Sequence, residues 1–346
     1  ENKQLVGGKY HWLAGNDLQS TNWEKLEPNT PFYLFKPQNN DLKMEYDTAW
    51  KITEIMSVNV LGFQTHRDHF AIDFHEKSIT QKVIELREDN LSHQDFTKKY
   101  NIKDNRDWQL DKARQLIRSD NQWKDKIITC LYRPFDWRYC YFSYVTMDYP
   151  RRELIDHVFR KDNLCLLSSR QQATLGYKHC WVSMHVPESC VVSTTSREGN
   201  QVFPLYLYPI DQATLIDATP TNAPGGRRPN LSPEFITEFS QKLGLEFIVD
   251  GKGNQKQTFG PEDIFNYIYA VFHSPTYRQR YAEFLKIDFP RLPLTSNLAL
   301  FWELVAKGDK LVQFHLMKAT GKEISTYPIA GSNIVEQVKY NENHQQ

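Results

Sequence analysis

The chain carries none of the compact motifs that would let it run a nucleotide chemistry by itself. A G-x-x-x-x-G-K-[ST] loop is missing, which excludes a motor whose backbone N–H groups cradle a triphosphate. The glycine pairs Gly7-Gly8 and Gly225-Gly226 lack the spacing and the preceding strand of a nucleotide loop. No Asn-Pro-Pro-Tyr type turn is present to hold a flipped base, so amino-group methylation is not expected within these residues. His66-Arg67-Asp68 has neither the metal-binding Asn nor the D-F-G element of a kinase.

Other absences narrow the class further. The five cysteines are an odd number without a C-x-x-C pair, which argues against a disulfide framework and a zinc ribbon and for buried, reduced thiols. Charge of one sign is not in excess: Lys and Arg total 42, as do Asp and Glu, so any affinity for nucleic acid must come from a local patch. No apolar run approaches the ~18 residues of a membrane span. Glu1 stands where a Met would, and no signal-like segment follows, so the chain reads as a cytoplasmic fragment of a longer protein.

Aromatic residues, by contrast, are abundant, with 8 Trp, 18 Tyr and 20 Phe among 346 residues. Most must be core, although a planar ring can also stack on a base. Strand-like runs lie at 32–35, 58–63 and 70–74, where β-branched and aromatic residues sit between breakers. Helical spacing follows at Ile79, Val83 and Leu86, then at Trp108, Ala113, Leu116 and Ile117. Strand signals return at 127–132, 138–144, 163–168, 179–184, 190–194 and 204–208, interrupted by a helix bearing Leu154, Ile155, Val158 and Phe159.

Residues 217–230 hold five Pro and Gly breakers and read as a linker. Beyond it, Pro261 with Glu262 and Asp263 starts a helix whose apolar face is Ile264, Ile268, Val271 and Phe272. Ser274-Pro275 opens the next helix, and Ser296 is expected to cap another carrying Leu298, Phe301 and Val305. The expected fold is α+β: a mixed β-sheet domain over 1–216, the linker 217–230, a helical module over 231–318, and a strand-like, fraying tail over 319–346.

Two clusters invite a chemical reading. Gln64-Thr65-His66-Arg67-Asp68-His69 partly matches the H-x-H-x-D-H pattern of two-metal hydrolases, which would make His66, Asp68 and His69 ligands. Gln64 stands in place of the first histidine, however, and an amide is a poor zinc ligand, so no metal site is expected. The alternatives are a strand entrance or a polar loop facing a ligand. The second cluster runs from Arg133 to Lys178, where eight cations face five acids and arginine dominates. Its planar fork suits guanine edges and phosphate.

Several segments in order resemble the C-terminal specificity region of type ISP restriction-modification enzymes and related adenine-specific DNA methyltransferases. They are Tyr10-His11-Trp12-Leu13 with Asn22-Trp23, PFYLF at 31–35, GFQTHRDHFAIDF at 62–74, YRPFDWRYCYF at 132–142, LLSSRQ at 166–171, FPLYLYP at 203–209 and EDIFNYIYAVFHSPTYRQRYAEFL at 262–285. The resemblance implies a target recognition domain that is not catalytic by itself and contacts double-stranded DNA. An upstream methyltransferase domain of the same polypeptide, missing here, would bind S-adenosylmethionine and perform the reaction. Tyr10, Trp12 and Trp23 are then expected to pack at the junction with that domain.

On this reading the expected DNA contacts are Thr65, His66, Arg67, Arg151, Arg152, Arg170, Gln171 and Gln172. Arg133, Asp136 and Arg138 are expected to form an internal ion-pair and turn motif around Pro134. Arg151 and Arg152 open a helix, where cations oppose the dipole, so a phosphate is the expected compensation and solvent exposure the alternative. For Arg170, Gln171 and Gln172, base contact and a plain polar loop both remain open. A metal-dependent hydrolase and a protein-interaction scaffold are the rival functions.

Overall fold

Two four-stranded sheets, three two-stranded ones and a set of helices make up the α+β fold of the computed structural model, which describes residues 6–28, 33, 39–88, 90–171, 177–178, 180–193, 199–210, 222–321 and 330–332. Of the expected strand at 32–35 only Tyr33 is among these residues, and most of the tail from 319 lies outside them. Among the described residues no helix is long and apolar enough to cross a membrane.

The first sheet is ordered Val60–Leu61, Gln201–Pro204, Cys165–Ser168, Cys180–Ser183, every pair antiparallel. It is buried on both faces. Leu166 and Phe203 face one apolar cluster, while Cys165, Leu167 and Val202 face another, the alternation a pleated strand imposes. The second sheet is ordered Ile72–Asp73, Asp136–Tyr141, Ile127–Arg133, Val186–Pro187, with only the last pair parallel. Its central hairpin turns at Pro134-Phe135; proline fixes one turn residue, and Phe135 takes a φ of 61° to close it.

The helix Pro261–His273 begins as expected, with proline in its first turn. The Asp263 carboxylate accepts from Gly260 N at 2.9 Å and from Gly253 N at 2.7 Å. Its burial is wider than the expected face, since every residue from Asp263 to Phe272 is buried. The reason is a second helix, Leu298–His315, packed on its far side through Gly308, and capped by Asn297 rather than Ser296.

Three expectations fail locally. Residues 70–74 are not one strand: Asp68–Ala71 make a helical turn before the strand Ile72–Asp73. The Arg67 carbonyl closes that turn, accepting from Phe70 N at 2.9 Å and Ala71 N at 3.0 Å, so these donors are not free for a ladder. Residues 190–193 form no strand, because the Asn200 side chain takes the donors a ladder would use, accepting from Val191 N at 2.8 Å and Val192 N at 3.3 Å. The end of the expected linker is built in: Arg228–Pro229 pairs with Tyr206–Leu207, and Asn230 bonds Val58 and Pro204. The largest apolar cluster accordingly mixes Ile52, Leu166 and Phe203 with Phe235, Phe265 and Phe301.

Candidate nucleic-acid interface

Strand register decides which loops share an end of the first sheet. Leu61 and Ser168 both pair with Gln201, so the chain leaves the strands at 62 and at 169 on the same end. From there the segment around Gln64 meets a loop 85 residues further on: Gln64 N–H donates to the Tyr149 carbonyl and Tyr149 N–H to the Gln64 carbonyl, each at 3.0 Å.

The junction is organised by Asp148, whose side chain is 1% exposed. Its Oδ1 lies 2.7 Å from Arg67 Nη2, and its Oδ2 lies 2.6 Å from His66 Nδ1. Arg67 is itself buried; its Nη1 donates to the carbonyls of Thr65 at 2.8 Å and Thr146 at 3.1 Å, and its guanidinium lies 4.5 Å from the Trp108 ring. A buried charge needs such compensation, and here a carboxylate, carbonyls and a π face supply it. Thr65 Oγ1 accepts from Arg67 N at 2.9 Å and donates to Asp68, which also accepts from the Tyr132 hydroxyl at 2.9 Å.

The expected contacts Thr65 and Arg67 therefore point inward, 1% and 4% exposed, where they shape the loop rather than meet a ligand. His66 between them is held outward, with a φ of 55° and a side chain 54% exposed. Beside it stand Tyr149, edge-on at 5.8 Å, and Arg151, whose guanidinium lies 4.7 Å from the Tyr149 ring and whose Nη2 is 3.4 Å from Gln64 Oε1. The surface thus joins an imidazole, a phenol ring, a guanidinium and an amide. Tyr149 and Asp148 were not singled out from the sequence, although the Asp-Tyr-Pro run at 148–150 marks a fixed turn.

Arg152, 76% exposed, pairs with Asp156 one turn along at 3.2 Å, which compensates its place at the helix start without a phosphate. Arg170 is 62% exposed, its Nε 3.4 Å from Asp288, a carboxylate it shares with Lys51. Gln171 is exposed, while Gln172 lies outside the described residues.

Arg138 forks onto Asp136 at 2.8–3.1 Å and lies 4.1 Å from the Phe74 ring and 4.0 Å from that of Tyr132. Arg133 lies 4.0 Å from the same tyrosine ring but pairs with Glu188, at 2.6 Å, not with Asp136. These residues brace the hairpin and, through Tyr132 and Asp68, the His66 loop.

The metal-ligand arrangement does not assemble. His66 turns to Asp148, His69 Nε2 lies 2.5 Å from the Tyr100 carbonyl, and Asp68 is engaged by Thr65 and Tyr132. Among the described residues, no group of three or more His, Cys, Asp or Glu side chains could hold a metal ion.

The chain shares its fold with three larger chains. It superimposes on DrdV in a complex with DNA with a TM-score of 0.63 and 20% identity, over 93% of this chain and 30% of that one. For a nuclease-deletion mutant of the Type ISP restriction-modification enzyme LlaGI with a DNA substrate mimic, the values are 0.54 and 20%, over 86% and 26%. For the ATP-dependent Type ISP enzyme LlaBIII bound to DNA they are 0.57 and 18%, over 91% and 20%. The chain thus spans less than a third of the length of each. No curated protein matches it. The family described as the Type ISP C-terminal specificity domain matches residues 54–346, and the chain belongs to that family.

Proposed function

We propose that the chain recognises a target sequence in double-stranded DNA as the specificity part of a restriction-modification enzyme. An adjoining methyltransferase domain of the same cytoplasmic polypeptide would supply S-adenosylmethionine and the reaction. The observation that carries this reading is the match to the specificity-domain family over residues 54–346. The exposed His66 and Tyr149 and the half-buried Arg151 support it: a hydrogen-bonding ring, a stacking ring and a fork at one junction suit a groove better than a small-molecule cavity.

The same reading divides the labour along the chain. Residues 1–216 would carry the recognition loops, and 231–318 would brace them against the methyltransferase. Tyr10, Trp12 and Trp23, which are 70%, 51% and 68% exposed, would be covered by that neighbour.

Titrating a labelled duplex into the purified chain at rising salt tests the proposal. The expected outcome is weak, saturable binding that falls with rising salt along a shallow slope, since a chain of zero net charge neutralises few phosphates. Absence of binding at the lowest salt refutes it.

A further inference from the structure

The His66 ring is aimed by a carboxylate whose chemistry fixes where the imidazole carries its hydrogen. Asp148 is flanked by the permanently charged guanidinium of Arg67 at 2.7 Å and by His66 Nδ1 at 2.6 Å. An ionised carboxylate only accepts, so Nδ1 must donate. A neutral imidazole has a single N–H, and Nε2 is left with its lone pair. Among the described residues nothing bonds Nε2, and the ring is 54% exposed. The loop spends a φ of 55° on a non-glycine residue to hold this acceptor outward.

Phosphate offers oxygens alone, so an acceptor gains nothing from the DNA backbone. In the major groove guanine shows N7 and O6 and thymine shows O4, all acceptors. Only the adenine N6 and cytosine N4 amino groups donate there. Resting on the DNA reading above, we infer that His66 is a specificity-determining residue whose Nε2 accepts from the exocyclic amino group of an adenine or cytosine. Asp148 is its positioning residue, because it selects the tautomer. Arg151, a pure donor 4.7 Å from the Tyr149 ring, complements it toward phosphate or guanine.

The experiment selects binding sites from a randomised duplex pool with the full chain at pH 8. Wild type is expected to prefer one base pair at the position His66 reads. His66→Ala lowers that preference about tenfold and leaves the other positions as they were. In a single duplex, replacing the base at that position by its analogue without the amine (purine for adenine, 2-pyrimidinone for cytosine) costs wild type about tenfold and His66→Ala nothing more. Asp148→Asn, whose amide can donate to Nδ1 and so reverse the tautomer, changes which base pair is preferred at that position and removes the cost of the missing amine, a change that mere destabilisation does not produce.

The inference is overturned if His66→Ala alters no position, or if removing the amino group at the position it controls costs wild type nothing. Should Asp148→Asn fail to fold, the His66→Ala and base-analogue arms still decide. A pool that wild type does not enrich removes DNA reading itself, and this inference with it. An enriched pool untouched by His66→Ala removes this inference alone.

Discussion

Gly308 faces the backbone of Asn266 so closely that a Cβ at position 308 would lie 1.9 Å from the Asn266 carbonyl oxygen. The contact lets the helix Leu298–His315 lie against the buried helix Pro261–His273, with Lys252 and Asn266 converging on Asp309 beside it. Because the obstacle is backbone, Gly308→Ala must push the helices apart. It is expected to cost about 2 kcal/mol and to lower the thermal midpoint, measured by calorimetry. An unchanged midpoint would show that this interface yields freely.

Asp148 and Arg67 form a buried pair, so removing one partner strands the other's charge. Asp148→Ala is expected to lower stability in urea by about 3–5 kcal/mol. The double variant with Arg67→Ala should lose less than the sum of the single losses. Additive losses would mean that the two side chains act independently.

Arg151 and Arg152 are neighbours with different surroundings: one lies over Tyr149, the other pairs with Asp156. Arg151→Ala is expected to weaken duplex binding severalfold and, if it meets a phosphate, to reduce the slope of log affinity against log salt by about 1. Arg152→Ala should change binding less, since its charge is already answered along the helix. Equal effects in salt titrations would contradict this ranking.

His273 is a pH lever for stability. Burial first, then Arg278, lowers its pKa from 6.5 to about 4, so the folded state keeps the ring neutral where the unfolded chain binds a proton. Its contribution is complete above pH 6.5 and is lost as pH falls toward 4, a total on the order of 3 kcal/mol. Glu262 and Asp263, raised by burial, act in the opposite direction. Comparing wild type with His273→Asn in urea at pH 7.5, 6 and 5 isolates this group: the wild-type curve should fall more steeply, and parallel curves would count against the assignment.

Much of the fold is legible in local spacing. Period and punctuation mark the helices Glu76–Glu88, Leu110–Ser119 and Pro261–His273 and the hairpin from Ile127 to Tyr141, because amphipathic faces and proline act over a few residues. The same logic misreads 70–74 and 190–193. There the outcome depends on the Arg67 carbonyl, which closes a turn on Phe70 and Ala71, and on the Asn200 amide, partners that hydrophobic spacing does not reveal.

The ordered motifs made the family legible, and the pattern of strand and helix signals made the α+β class legible, from the sequence alone. What the tripeptide Thr65-His66-Arg67 does was decided only by the folded chain: the outer two residues are buried and the middle one is held in solvent. Loops carry no periodicity to report burial. An arginine can be buried only where a distant segment supplies its counter-charge, and Asp148, 82 residues from His66, comes into reach when the two loops pair.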